Sequence, residues 1–210
     1  MSPRNKELSE EMRTHSRAAL IAAARHCFAT RGYFNARIAD VAQQAGMSQG
    51  SIYWYFASKE DLLKAVLSQA FESLGAVMAE AAAAPGDAHQ KLDRLASSLL
   101  QYAQEGSQFT AIMISLMGHT NEDMFARLGF DMDAIGLGYT QSLLSILTQA
   151  QAEGIIPAEH DPLALTMMFF GMFNGLNLVY GQEWLNLPPE TLKAGMLRLL
   201  GVQILKRSED

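Results

Sequence analysis

Apolar residues recur three and four positions apart along most of this chain, the period of a helix that buries one face. Leu20, Ala23, Ala24, Cys27 and Phe28 form the first long stripe, and Gly32 stops it. Residues Ser2 to Thr14 ahead of it are too polar to pack and are expected to form a mobile arm. A shorter stripe follows at Ile38, Val41, Ala42 and Ala45, with Asn35 as its expected cap. Gly46 can take positive φ and end that helix, and Ser48 can accept a backbone N–H at the start of the next. From about Gln49 onward, Ile52 and Phe56 lie four apart and turn inward, which leaves Gln49, Gly50, Ser51, Tyr53 and Trp54 facing elsewhere. Two short helices joined by a glycine-containing turn, the second with a slim polar face, make a helix-turn-helix. The second helix of that motif fits a DNA major groove.

Past this point the stripes lengthen. Ser58-Lys59-Glu60-Asp61 is a capping box that launches a helix through Leu62, Val66, Ala70, Leu74 and Val77 towards Pro85-Gly86. Asp87 caps a helix carrying Leu92, Leu95, Leu99 and Tyr102, expected to end near Gly106. A separate stripe at Phe109, Ile112, Met113, Leu116 and Met117 stops at Gly118, and a short segment covers Met124 to Phe130. Ala134 to Glu153 reads as helical. Asp161-Pro162 opens a helix to about Trp184, and Pro188-Pro189 opens the last, to about Lys206. No stretch alternates as a strand does. The expectation is an all-α protein of about nine helices, with an N-terminal three-helix DNA-binding domain at 1–57 and a larger helical domain for ligand binding and dimerisation at 58–210.

Helices 162–184 and 189–206 are apolar around more than one face and need a second partner. A neighbouring subunit can supply it, giving a four-helix homodimer interface about a two-fold axis. Paired DNA half-sites about 34 Å apart also call for a dimer.

Composition sharpens this picture in one respect. The chain of 210 residues carries a net charge of −6, which taken alone argues against nucleic acid. Residues 1–60, however, hold eight Lys and Arg against five acids, while the remainder holds eight against seventeen. A basic quarter on an acidic body is the asymmetry of a protein that touches phosphate at one end. The single cysteine, Cys27, lies on the inner stripe as a small core residue and excludes an internal disulfide framework. Met1 to Met12 lacks the apolar core of a signal peptide, and Leu163 to Tyr180 is broken by Thr166, Asn174, Asn177 and glycines, so a cytoplasmic protein without a membrane span is expected.

The run from Phe28 to Leu63, FATRGYFNARIADVAQQAGMSQGSIYWYFASKEDLL, resembles the DNA-binding signature of the TetR family of bacterial transcriptional regulators, and the similarity extends from about Leu20 to Leu67. It implies a double-stranded DNA operator, a homodimer and a small-molecule effector. No cofactor or metal is expected. Carried over position by position, the resemblance gives the DNA contacts as Arg37, Ser48, Gln49, Gly50, Ser51, Tyr53, Trp54 and Lys59. Gln49 stands where the family commonly has lysine, and glutamine can pair bidentately with adenine. Gly50 lets the helix approach the groove closely. Tyr53 and Lys59 match positions that meet phosphate, and free N–H groups at the next helix start can add to them. Trp54, often histidine in the family, can reach a phosphate or base or shield the domain core, and both readings stand. Ala36-Arg37 replaces a pair of hydroxyl residues that often cap the helix, so the cap must come from elsewhere.

Methionines and aromatics concentrate in the C-terminal body, a composition suited to holding apolar ligands of varied outline. The candidate effector contacts are Tyr102, Phe109, Met113, Met117, His119, Tyr139, Met167, Phe170 and Asn174. The effector expected is apolar or aromatic. No phosphate-cradling loop, no metal-ligand spacing and no nucleophile elbow appears, so no catalytic residue is assigned and an enzyme is not expected. Two other readings are a dimeric DNA-binding regulator without an inducer pocket and a helical protein-binding adaptor.

Overall fold

The computed structural model describes residues 3–117, 124–179 and 187–202, without the side chains of 3–9, 104–107 and 178. Nine helices and no strand occur among the described residues. They are α1 (Pro3–Arg31), α2 (Ile38–Ala45), α3 (Gln49–Tyr55), α4 (Lys59–Ala83), α5 (Ala88–Met117), α6 (Met124–Arg127), α7 (Met132–Ala152), α8 (Pro162–Val179) and α9 (Pro189–Leu199).

Short acceptor side chains start most of them. Ser48, Asp131, Ser58, Asp87 and Asp161 each accept the backbone N–H three residues on, which satisfies donors that the helix itself cannot. At α2 the expected cap is displaced. Asn35 instead donates to the Arg31 carbonyl at the end of α1. The first residue before α2 is Arg37, which has no acceptor, and Asp40 reaches back to take its N–H at 2.8 Å. Gly46 closes α2 at φ 66, where a Cβ would meet no atom within 4 Å. Backbone handedness, not crowding, is what favours glycine there.

Three boundaries differ from expectation. The polar stretch up to Thr14 is helical from Pro3: residues 10–15 are exposed as their polarity demands, but Glu, Met, Arg and Lys are good helix formers and extend α1 once its buried part exists. Likewise α5 runs through Gly106 without a break, since one glycine costs a long packed helix only about 1 kcal/mol. The last helix stops at Leu199, short of the expected Lys206, because the Leu200 N–H closes back on the Met196 carbonyl and Gly201 turns left-handed at φ 79. The expected end of α8 at Trp184 and the stop at Gly118 lie outside the described residues.

The chain divides into two compact units, Met1–Ala70 with Gln108–Phe130, and Phe71–Ser107 with Asp131–Asp210. Helices α4 and α5 each belong in part to both. In the first unit α1 packs on α2 and α2 on α3, over Leu20, Ala24, Phe28, Val41, Ile52, Leu62 and Leu67, all buried. Cys27 is buried there, and its thiol is pushed up by that burial, as befits a core residue. The second unit has its own core from α4, α5, α7, α8 and α9, including Leu92, Leu99, Leu143, Leu147, Phe169 and Leu197. One described helix, α4, is long and apolar enough to cross a membrane, and Leu62, Leu63, Val66, Leu67 and Phe71, buried in the folded chain, account for that apolarity.

Candidate nucleic-acid interface

Helix α3 turns Ile52 into the core, fully buried, and Phe56 just past its end nearly so. Its opposite side carries Gln49, Gly50, Tyr53 and Trp54, all exposed, with Ser51 half-buried beside them. Tyr53 and Trp54 keep 55% and 62% of their surfaces in solvent, so Trp54 does not shield the core. The Ser51 hydroxyl sits 2.8 Å from that of Ser48, which also caps the helix. A Cβ built on Gly50 would meet only the Ser48 hydroxyl, at 3.8 Å. Nothing inside the protein therefore requires a glycine at that position.

Lys59 begins α4 and works inward. Its ammonium donates to the carbonyls of Ala36 at 2.7 Å and Phe34 at 3.3 Å and lies 4.5 Å from the Tyr33 ring centroid. It fastens α4 to the turn before α2, and burial holds its pKa below the usual lysine value. Asp40, a residue the sequence reading passed over, does similar work on the other side: one oxygen caps α2, and the other pairs with Arg31 at 2.9 Å. Its position three residues into α2 was the available signal. Arg37 is exposed at the entry to α2. Segment 108–130 adds a further tie, the Ser115 hydroxyl accepting the Tyr33 N–H at 3.3 Å.

Residues 20–66, which span this arrangement, match the model of the family described as "Bacterial regulatory proteins, tetR family". In these residues the chain carries a TetR-family DNA-binding domain. Among curated relatives it is 38% identical over 73 residues to the HTH-type transcriptional regulator TtgR of Pseudomonas putida, a match that covers 35% of this chain and 33% of that protein. It thus spans only a third of that relative's length. Similarity to the fatty acid metabolism regulator protein of Bacillus subtilis is 28% over 153 residues, covering 72% of this chain and 76% of the relative. Among solved structures, the transcriptional regulator FadR from Bacillus subtilis in complex with stearoyl-CoA superposes with a TM-score of 0.68 at 23% identity, over 90% of this chain and 99% of that one. That likeness shows a shared all-helical fold. The named relatives are regulators, not enzymes.

The candidate effector residues fall into two groups. Tyr102, Tyr139 and Phe170 are half-buried around the core of the second unit. The Tyr139 hydroxyl donates to the Phe71 carbonyl at 2.8 Å, and burial, reinforced by Tyr102, pushes its pKa up to about 12. Phe109, Met113 and Met117 belong instead to the first unit, and Met117 is 74% exposed. His119 lies outside the described residues. On α8, Met167 and Asn174 are exposed, the Asn174 amide donating to the Phe170 carbonyl. The same helix buries Asn177, whose side-chain oxygen has no partner among the described residues. A cleft of about 600 Å³ lined by Val77, Ala81, Pro85, Arg94 and Ser97 involves none of the candidate effector contacts.

The faces of α8 separate cleanly. Leu165, Thr166, Phe169, Phe173 and Asn177 turn inward. Leu163, Met167, Met168, Gly171, Asn174 and Gly175 stay exposed, with no atom within 4 Å of a Cβ built on either glycine.

Proposed function

We propose that the chain is a ligand-responsive transcriptional repressor that acts in the cytoplasm, binds a palindromic DNA operator as a homodimer and releases it when a small molecule occupies the second unit. The observation that carries DNA binding is the outward face of α3: exposed, uncharged and aromatic, and centred on a glycine that internal packing does not need. Gly50 allows backbone to approach a groove, Gln49 and Ser51 offer donors and acceptors to base edges, and Tyr53 offers a hydroxyl to phosphate. The match of residues 20–66 to the family model supports the same reading.

The exposed apolar and glycine-bearing face of α8 supports the dimer, since two copies of one helix can close on such a face. Two observations support an effector in the second unit. Asn177 is buried with a side-chain oxygen that has no partner among the described residues, a costly arrangement that a ligand's donor would relieve. In addition, a protein of the same fold was solved with stearoyl-CoA, which places acyl thioesters beside apolar and aromatic molecules as classes to test. Helix α4 is uninterrupted from Lys59 to Ala83, and ligand binding would act by shifting the population towards a form of lower operator affinity. The test is selection of duplexes from a random-sequence pool, followed by titration of the recovered complex with stearoyl-CoA and with aromatic acids. Recovery of a two-fold symmetric sequence and its release by one of these classes is the expected result. No recovered duplex would refute DNA binding, and binding that no small molecule weakens would leave a regulator without an inducer pocket.

A further inference from the structure

The outward face of α3 carries no cation, and the one lysine expected to meet phosphate is turned inward onto two carbonyls. Binding to DNA draws most of its sequence-independent affinity from cations that displace counterions, so neighbouring elements have to supply them. Two arginines of α1 are placed to do so. The Arg13 guanidinium lies 4.7 Å from the Trp54 ring centroid, and that of Arg17 lies 5.2 Å from the Phe56 ring centroid. Both arginines are exposed, and neither has a carboxylate partner among the described residues. Glu10 and Glu11 are the acids nearest in sequence, and Glu10 borders with Arg13, Thr14, Arg17 and Tyr55 a groove of about 410 Å³.

Trp54 is itself braced, Tyr55 meeting it edge-on with centroids 4.9 Å apart. A guanidinium that stacks on a ring uses its flat face and keeps the N–H donors in its plane for another partner. Arg13 and Arg17 are one turn apart, about 6 Å along the helix axis, and so present two such donor sets along one edge of the α3 face. We propose that Arg13 and Arg17 form a phosphate-binding ledge of the DNA interface, with Trp54 as the positioning residue that holds Arg13 in place. This rests on the DNA-binding reading given above.

The experiment uses the full chain and a duplex recovered by selection with the wild-type protein, with affinity followed by fluorescence anisotropy over a fourfold range of salt. Each of Arg13→Ala and Arg17→Ala is expected to flatten the slope of log affinity against log salt by about 0.9, so that its deficit relative to wild type shrinks about threefold across the series. Trp54→Ala should match Arg13→Ala and add little to it in the double variant, whereas Trp54→Phe, which keeps a ring to stack on, should hold the wild-type slope. Thermal melting controls for folding. A wild-type slope in both arginine variants, with tight wild-type binding and normal melting, would overturn the ledge. Additive effects of Arg13→Ala and Trp54→Ala would overturn the positioning role. Failure to recover any duplex would remove the DNA-binding reading itself, and the ledge with it.

Discussion

Gly50 costs α3 up to about 1 kcal/mol relative to alanine, and the nearest atom to a Cβ built there is at an ordinary van der Waals distance. Gly50→Ala should therefore raise the melting temperature slightly while lowering operator affinity about tenfold, a change worth about 1.4 kcal/mol. Melting curves and anisotropy on one preparation would separate the two effects, and unchanged affinity would count against close approach by α3. Lys59 presents the opposite case. Two hydrogen bonds and a ring hold its ammonium inside the first unit, and Lys59→Met should cost about 2 kcal/mol of stability through the loss of charge-assisted hydrogen bonds. If the role of Lys59 is to set the turn before α2, the variant will bind DNA more weakly at every salt concentration with an unaltered salt slope. A flattened slope would show a direct phosphate contact.

Tyr139 gives a pH signature. Its phenol is held neutral in the folded chain, pushed up to about 12 from the ordinary 10. A folded-state value above the unfolded one means that this contribution is whole below pH 10 and is lost as pH rises through the folded value. Wild type should thus lose stability to denaturant between pH 10 and 12 more steeply than Tyr139→Phe, which at neutral pH is itself weaker by about 1 kcal/mol for the lost hydrogen bond.

Among the elements, α2 depends most on a single side chain. Arg37 cannot accept a hydrogen bond, so Asp40 both supplies the cap and pairs with Arg31. Asp40→Ala should destabilise the first unit by about 1 kcal/mol, measured by urea unfolding, and Asp40→Glu should recover part of it if the reach of the carboxylate is what matters. The continuity of α5 through Gly106 has a comparable cause. A glycine breaks a helix in sequence patterns, but in a 30-residue helix with buried residues on both sides of it, packing outweighs the local entropy cost.

For the whole molecule, the exposed side of α8 is where a second copy would dock. Met167 and Met168 are 49% and 67% exposed, and Leu199 on α9 is 72% exposed. Met167→Glu is expected to shift the protein towards monomer by light scattering. Affinity for the full palindrome should fall, and affinity for an isolated half-site should stay close to wild type. A dimer that survives the change would move the interface off α8.

What the sequence determined by itself is whatever depends on neighbours a few residues apart: the helical period, the Ser48 and Ser58 caps, the Gly46 turn and the inward pair Ile52 and Phe56. These rest on hydrogen bonds and faces within one or two turns, and the structure has them all. The family was legible for the same reason, since its motif is a local run of residues. Tertiary packing decided the rest. Which side of the largely apolar α8 turns inward, whether the Lys59 ammonium points out or in, and that Phe109 and Met113 leave the unit holding Tyr102 and Tyr139 are set by residues far apart in the chain. A helix that is apolar around more than one face carries little periodic signal for its buried side, and a lysine looks the same in sequence whether its ammonium meets water or a carbonyl.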